Sequence, residues 1–139
     1  MKINHGRVAG EPSEERGASF TGTVWAEPLL RNVADVVVNT VFFPPGARTH
    51  WHTHGNGQIL IVTHGRGFAL NEAGEGGEIL SGDIVWFESG ERHWHGAGPH
   101  TYLSHIAVSL GGTAWEDAVT DNEYRAGTEE REAVRGACA

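Results

Sequence analysis

Hydrophobic residues in this chain come in short runs broken by glycine, proline and polar clusters, a pattern of strands and turns rather than helices. Ser19–Ala26 (SFTGTVWA) reads as a first strand, ended by Pro28, with Leu29–Asp35 as a connection. Val36–Phe43 (VVVNTVFF) is β-branched and aromatic and predicts a second strand, closed by the Pro44-Pro45-Gly46 turn. His50–His54 is the next extended piece and Gln58–Thr63 follows it. His64-Gly65-Arg66-Gly67 then predicts a hairpin-like turn, with Phe68–Leu70 returning. Short strands are expected at Glu78–Leu80, Ile84–Phe87 and His93–Gly96, and a longer one at Tyr102–Leu110. In that last strand Leu103, His105, Ala107 and Ser109 share one face. Thr113–Tyr124 predicts a short helix or a packed arm.

Closely spaced short strands indicate an all-β antiparallel barrel or sandwich. At 139 residues the chain fits one domain. We expect an arm or edge strand over 1–18, the barrel over 19–124 and a frayed tail over 125–139.

Composition narrows the partners. The net charge is -8, with a single lysine, which argues against nucleic acid and anionic membranes and suits a soluble protein handling a small molecule. The one cysteine, Cys138, has no intrachain partner, and the N-terminal MKINHGRVAG lacks an apolar signal region. A cytoplasmic location is the expectation. The apolar strand Val36–Phe43 is a candidate for edge pairing.

The chemistry is concentrated in the histidines. All but His5 lie between His50 and His105. In an extended chain His50, His52 and His54 share a face, with Trp51 and Thr53 opposite. Clustered imidazoles are costly unless bound, and a divalent metal is the usual partner. Gly55-Asn56-Gly57 lets the chain turn so that Gln58 presents an amide oxygen. His93 and His95 repeat the alternate spacing in GDIVWFESGERHWHG. His52, His54, Gln58 and His93 would supply three nitrogens and an oxygen and leave positions open, the mark of a catalytic site. His95 is a hydrogen-bond partner, a base or a turn residue on this reading, and His50 a pocket wall or a solvated side chain. His105 is either a satisfied interior histidine or a base. His5, His64 and His100 are expected at the surface, as are Arg48 and Arg92. Trp51, Trp86, Phe87 and Trp94 are expected in the core.

These stretches resemble the two motifs of the cupins. Gly46, His52, His54, position 58 and Gly65 keep every spacing of the first motif, and Gly82, Gly90 and His93 match the second. Gln58 stands where the motif has glutamate, Glu88 where it has proline and Ala97 where it has asparagine. The resemblance implies a double-stranded β-helix, a jelly-roll-like barrel. SFTGTV, the PGART–WHTH stretch, GDIVWF, HWHGA and Gln58 together are similar to the bacterial manganese-dependent cupin hydroxynitrile lyases, which act on cyanohydrins such as (R)-mandelonitrile. That similarity implies Mn(II) at His52, His54, Gln58 and His93, with Fe(II), Ni(II) or Zn(II) as other candidates for such donors. It implies His105 as base, and the mechanism expected here adds His95 as a second catalytic residue. The family resemblance carried by the histidine motifs also implies a homodimer or higher homo-oligomer.

A glutamine in place of the glutamate leaves the ion's charge uncompensated by protein. That favours an anionic ligand and Lewis-acid chemistry. The open positions serve dioxygen equally well, so a carbon–carbon-cleaving cupin dioxygenase stands as an alternative. A non-enzymatic, metabolite-binding cupin is another.

Overall fold

A computed structural model describes residues 1–6 and 12–138, and side chains for all of these except 32 and 130–138. The order is β1 (Glu14–Arg16), β2 (Phe20–Thr21), β3 (Val24–Val33), β4 (Val36–Phe43), β5 (Arg48–Thr49), β6 (His52–His54), β7 (Gln58–Asn71), β8 (Gly76–Leu80), β9 (Ile84–Phe87), β10 (His93–Ala97), β11 (Leu103–Leu110), β12 (Thr113–Trp115) and α1 (Asp121–Cys138). Pairing is antiparallel throughout and wraps into a nearly closed barrel. One face carries β1-β3-β4-β11-β7-β9, and the other carries β8-β7-β10 with β5, β2, β6 and β12. No helix among the described residues is long and apolar enough to cross a membrane.

β7 belongs to both faces. Its first half pairs with β9 and β11 and its second half with β8 and β10. The turn expected at His64–Gly67 is therefore absent, and the strand runs on to Asn71. Glycine serves here to bend the strand and admit close neighbours. Gly65 has φ +81°, and a Cβ there would lie 2.1 Å from the Tyr102 carbonyl oxygen. A Cβ at Gly67 would lie 2.2 Å from the Gly96 oxygen. Both positions are closed to any side chain.

Pro28 does not end β3 as its ring suggested. Among the described residues β1 pairs with β3 only as far as Ala26, so at Pro28 the strand has β4 as its one neighbour, and its register shifts just after the proline. The hairpin to β4 turns at Ala34 and Asp35, both at positive φ. Nor is Val36–Phe43 an edge. It lies between β3 and β11, paired on both sides.

The C-terminal segment is helical from Asp121 to Cys138 rather than a frayed tail. A capping box starts it: the Thr120 hydroxyl accepts the Glu123 N–H at 3.1 Å, and Glu123 Oε2 accepts the Thr120 N–H at 2.9 Å. Arg48 ties this helix down. It is 5% exposed, donates to the Val119 carbonyl and Asp121 Oδ1, both at 2.9 Å, and lies over the Tyr124 ring. Arg48 is thus an internal clamp and not the surface charge expected. Arg92 is half-buried against the Trp51 ring.

Two apolar clusters result. The larger, with Val24, Val41, Phe43, Leu60, Val62, Phe87 and Leu103, fills the barrel. The smaller seals the helix against the barrel with Trp51, Phe68, Leu70, Trp94, Val119 and Tyr124. Trp51, Phe87 and Trp94 are core as expected, whereas Trp86 is exposed on the outside of β9.

Candidate metal centre and its pocket

β6 is placed so that the two histidine stretches meet. His52 pairs directly with His93 of β10 on one side and with Trp115 of β12 on the other. Alternation along β6 turns His52 and His54 inward, and Gly57, at φ +97°, returns the chain so that Gln58 follows beside them. The His52 and His93 ring centroids are 4.3 Å apart, His52 and His54 4.9 Å, and His54 and His93 5.5 Å. These rings are almost without solvent contact, as is Gln58. The chain bends at Trp51, so His50 is not part of the ligand face. Its side chain does not line the cavity.

Each inward ring is anchored at its far nitrogen. His52 Nδ1 lies 2.9 Å from the His50 carbonyl and His93 Nδ1 lies 2.8 Å from the Glu91 carbonyl. A carbonyl only accepts, so both Nδ1 atoms carry the proton and both Nε2 atoms present lone pairs inward. His54 Nδ1 meets the Thr113 hydroxyl at 3.0 Å, and its Nε2 is buried without a partner. Gln58 donates from Nε2 to the Ser109 hydroxyl at 3.1 Å, which turns its Oε1 toward the histidines. That oxygen is 3.1 Å from His93 Nε2. Two lone pairs facing each other at this distance repel unless a cation lies between them. The donor set fits a divalent metal, and the hydrogen bonds behind it are those that orient such donors.

Burial holds these rings neutral, as metal binding requires. Desolvation pushes His54 and His93 down to about 4, and His52 well below its ordinary value, where the charge repulsion of His93 adds to the effect.

His95 enters the cluster more deeply than its sequence position implied. One ring nitrogen each from His52, His93 and His95 lie within 4.8 Å of one another. His95 Nδ1 is 3.0 Å from His105 Nε2, and His95 Nε2 is buried with no partner. His95 lines the cavity and His105 does not, so His105 stands one ring behind it. Desolvation lowers both, His105 to about 4, and repulsion from His105 lowers His95 further. His5, His64 and His100 are exposed.

The cavity, about 130 Å³, is walled by these groups, by Thr49, Thr113 and Ser109, and by Phe20, Val41 and Trp115. Among the described residues no carboxylate lines it. Sequence reading missed Asn39, which also faces it. The available signal was a polar residue at an inward position of an otherwise β-branched strand.

No protein-family model matches the chain. Among characterised proteins, the (R)-mandelonitrile lyase of Granulicella tundricola is 49% identical over 126 residues, covering 86% of this chain and 96% of that protein. Among solved structures, a cupin-like protein from Thermotoga maritima superposes with a TM-score of 0.81 at 40% identity, covering 88% of this chain and 98% of that one. The polyketide cyclase RemF from Streptomyces resistomycificus, at 18% identity and a TM-score of 0.60 over 90% of this chain and 91% of its own, shares the fold. Identity of this extent, together with the barrel and its histidine cluster, makes the chain a member of the cupin family, in the group of small cupins that includes the Granulicella (R)-mandelonitrile lyase.

Proposed function

We propose that the protein is a metal-dependent lyase that cleaves cyanohydrins of the (R)-mandelonitrile type into aldehyde and cyanide, and joins them in reverse. The observation that carries this reading is the Gln58 amide set among three neutral imidazoles, in a cavity that no described carboxylate lines and beside a neutral histidine pair. Kinship with a protein named for that activity supports it.

In this reading His52, His54, Gln58 and His93 hold the ion, Mn(II). A divalent cation in that neutral set supplies Lewis-acid stabilisation of negative charge on a substrate oxygen. His95 handles the proton. His95 Nδ1 and His105 Nε2 share one proton across 3.0 Å; with that proton on His95 Nδ1, a lone pair is left at His95 Nε2 toward the cavity. His95 Nε2 takes the hydroxyl proton, the carbon–carbon bond to the nitrile breaks, and the O–C bond becomes the aldehyde carbonyl. Cyanide leaves with the bonding pair and takes the proton back from His95. Burial keeps the imidazole neutral and ready to accept. The apolar wall of Phe20, Val41 and Ala107 keeps water from the pair.

The test is turnover of racemic mandelonitrile by metal-stripped protein reloaded separately with Mn, Fe and Zn, with and without oxygen. Benzaldehyde release with Mn, indifferent to oxygen, is the expected result. Oxygen consumption on aromatic substrates without benzaldehyde release from the nitrile overturns the lyase reading in favour of a dioxygenase.

A further inference from the structure

Outside the histidine cavity lies an open cleft of about 680 Å³, bounded by β1, Arg31 and Ala26. Phe20, Val37, Asn39, Val41 and Trp115 line both spaces and so form the neck between them. Four of these are apolar or aromatic. The fifth is an amide.

Asn39 sits in β4 opposite Ala107 of β11, whose small side chain leaves room over it. The residue is half-buried, and its Oδ1 is buried without a hydrogen-bond partner. Buried polar groups in folded proteins are nearly always paired, so an amide oxygen left free by the protein at the neck of a cavity calls for a partner from within it. The aromatic surface beside it is extensive. Phe20 and Trp115 pack with ring centroids 5.4 Å apart, and the Trp115 ring lies 4.5 Å from His52. A ligand whose reacting carbon lies among the histidines therefore carries its ring outward, along Trp115 and toward Asn39.

We propose that Asn39 selects the substrate by accepting a hydrogen bond from a hydroxyl on that ring, so that the site prefers hydroxyl-substituted aromatic aldehydes and their cyanohydrins to unsubstituted ones. This inference rests on the lyase reading for the identity of the reacting group, but not for the contact itself. A site built around a buried polar group discriminates strongly against a ligand that leaves the group unpaired, far more than an apolar pocket discriminates between ligands of similar shape.

The test compares binding of benzaldehyde, 3- and 4-hydroxybenzaldehyde and 4-methoxybenzaldehyde to the Mn-loaded protein by calorimetry, in the native chain and in Asn39→Leu and Asn39→Ser. Native protein is expected to bind one hydroxybenzaldehyde at least tenfold more tightly than benzaldehyde, with no gain for the methoxy compound, which cannot donate. Asn39→Leu is expected to bind the hydroxylated and plain aldehydes alike, and Asn39→Ser to restore part of the preference. An equal preference in native protein and Asn39→Leu overturns the proposal, as does no preference in the native protein, which would leave the amide to water. Because binding is read without turnover, a hydroxyl preference that depends on Asn39 stands even if no cyanohydrin is cleaved, in which case the lyase reading falls alone.

Discussion

His95 Nδ1 and His105 Nε2 lie 3.0 Å apart inside the barrel, and only the first of these rings reaches the cavity. This order assigns them different work. In the proposed lyase mechanism His95 would meet the substrate, and His105 would fix its tautomer and orientation. His95→Ala should then lower kcat by roughly the 10²–10⁴-fold typical of a lost general base. His105→Ala should lower it less, with metal content unchanged in both variants by elemental analysis. Full activity in His95→Ala would remove this residue from the mechanism.

Gln58 is the position where charge is tuned. Replacing it with glutamate adds one negative charge among three imidazoles, and the Ser109 hydroxyl can turn to donate to the new carboxylate, so the fold should hold. Gln58→Glu should bind Mn(II) more tightly, by about tenfold, while cyanohydrin cleavage falls by at least a similar factor because the ion's charge is partly spent on the protein. Metal titration and steady-state kinetics on the same preparation separate the two effects. Tighter metal binding with undiminished turnover would show that the neutral ligand is irrelevant to the chemistry.

Much of this site was legible because its spacing is rigid. Alternate histidines in a strand must share a face, and His52, His54 and His93 do meet. His50 escaped the pattern because the chain bends at Trp51, whose ring is needed in the cluster under α1. Gly65 and Gly67 misled in the other direction. Their chemistry suits a turn, yet it serves a strand that changes sheets, and only the approach of the Tyr102 and Gly96 carbonyls tells the two apart. The helix was hidden by a charged, glycine-containing sequence, although the Thr120–Glu123 capping box that starts it can be read directly from the chain. That His95 lines the cavity while His105 does not was not readable, since the two lie on β10 and β11 in different sheets and only the folded barrel brings their rings together.

The neutral histidines make the metal-free protein acid-sensitive. His54, His93 and His105 titrate near 4 in the folded state, against an ordinary value of 6.5. Between those limits the unfolded chain binds more protons than the folded one, so stability falls as pH falls through this window and is unaffected above it. Each pKa unit corresponds to about 1.4 kcal/mol, so a few of these groups together amount to several kcal/mol. The melting temperature of metal-stripped protein should be level from pH 7 to 8 and drop by about 10 °C or more by pH 4.5. A flat profile across the window would mean that these rings are already hydrated or protonated in the folded state.

The outer face of the barrel is apolar in a way the strand register makes continuous. Ile84 of β9 pairs with Ile61 of β7, which pairs with Ile106 of β11. One step along, Trp86, Ile59, Val108 and Val38 form a second row. Ile84 is 71% exposed and Trp86 48%. Contiguous apolar surface of this kind marks an interaction site, and a second copy of the chain is our proposed occupant. Because β4 is paired on both sides, the contact is face to face rather than through a strand edge. Ile84→Glu combined with Ile61→Glu places like charges on both copies across such an interface. The double variant should sediment as a monomer where the native protein sediments as a dimer, yet still bind Mn(II), because His52, His54 and His93 lie on β6 and β10 of the other sheet and the substituted side chains point out of the barrel. A native protein that is monomeric at micromolar concentration would rule the dimer out.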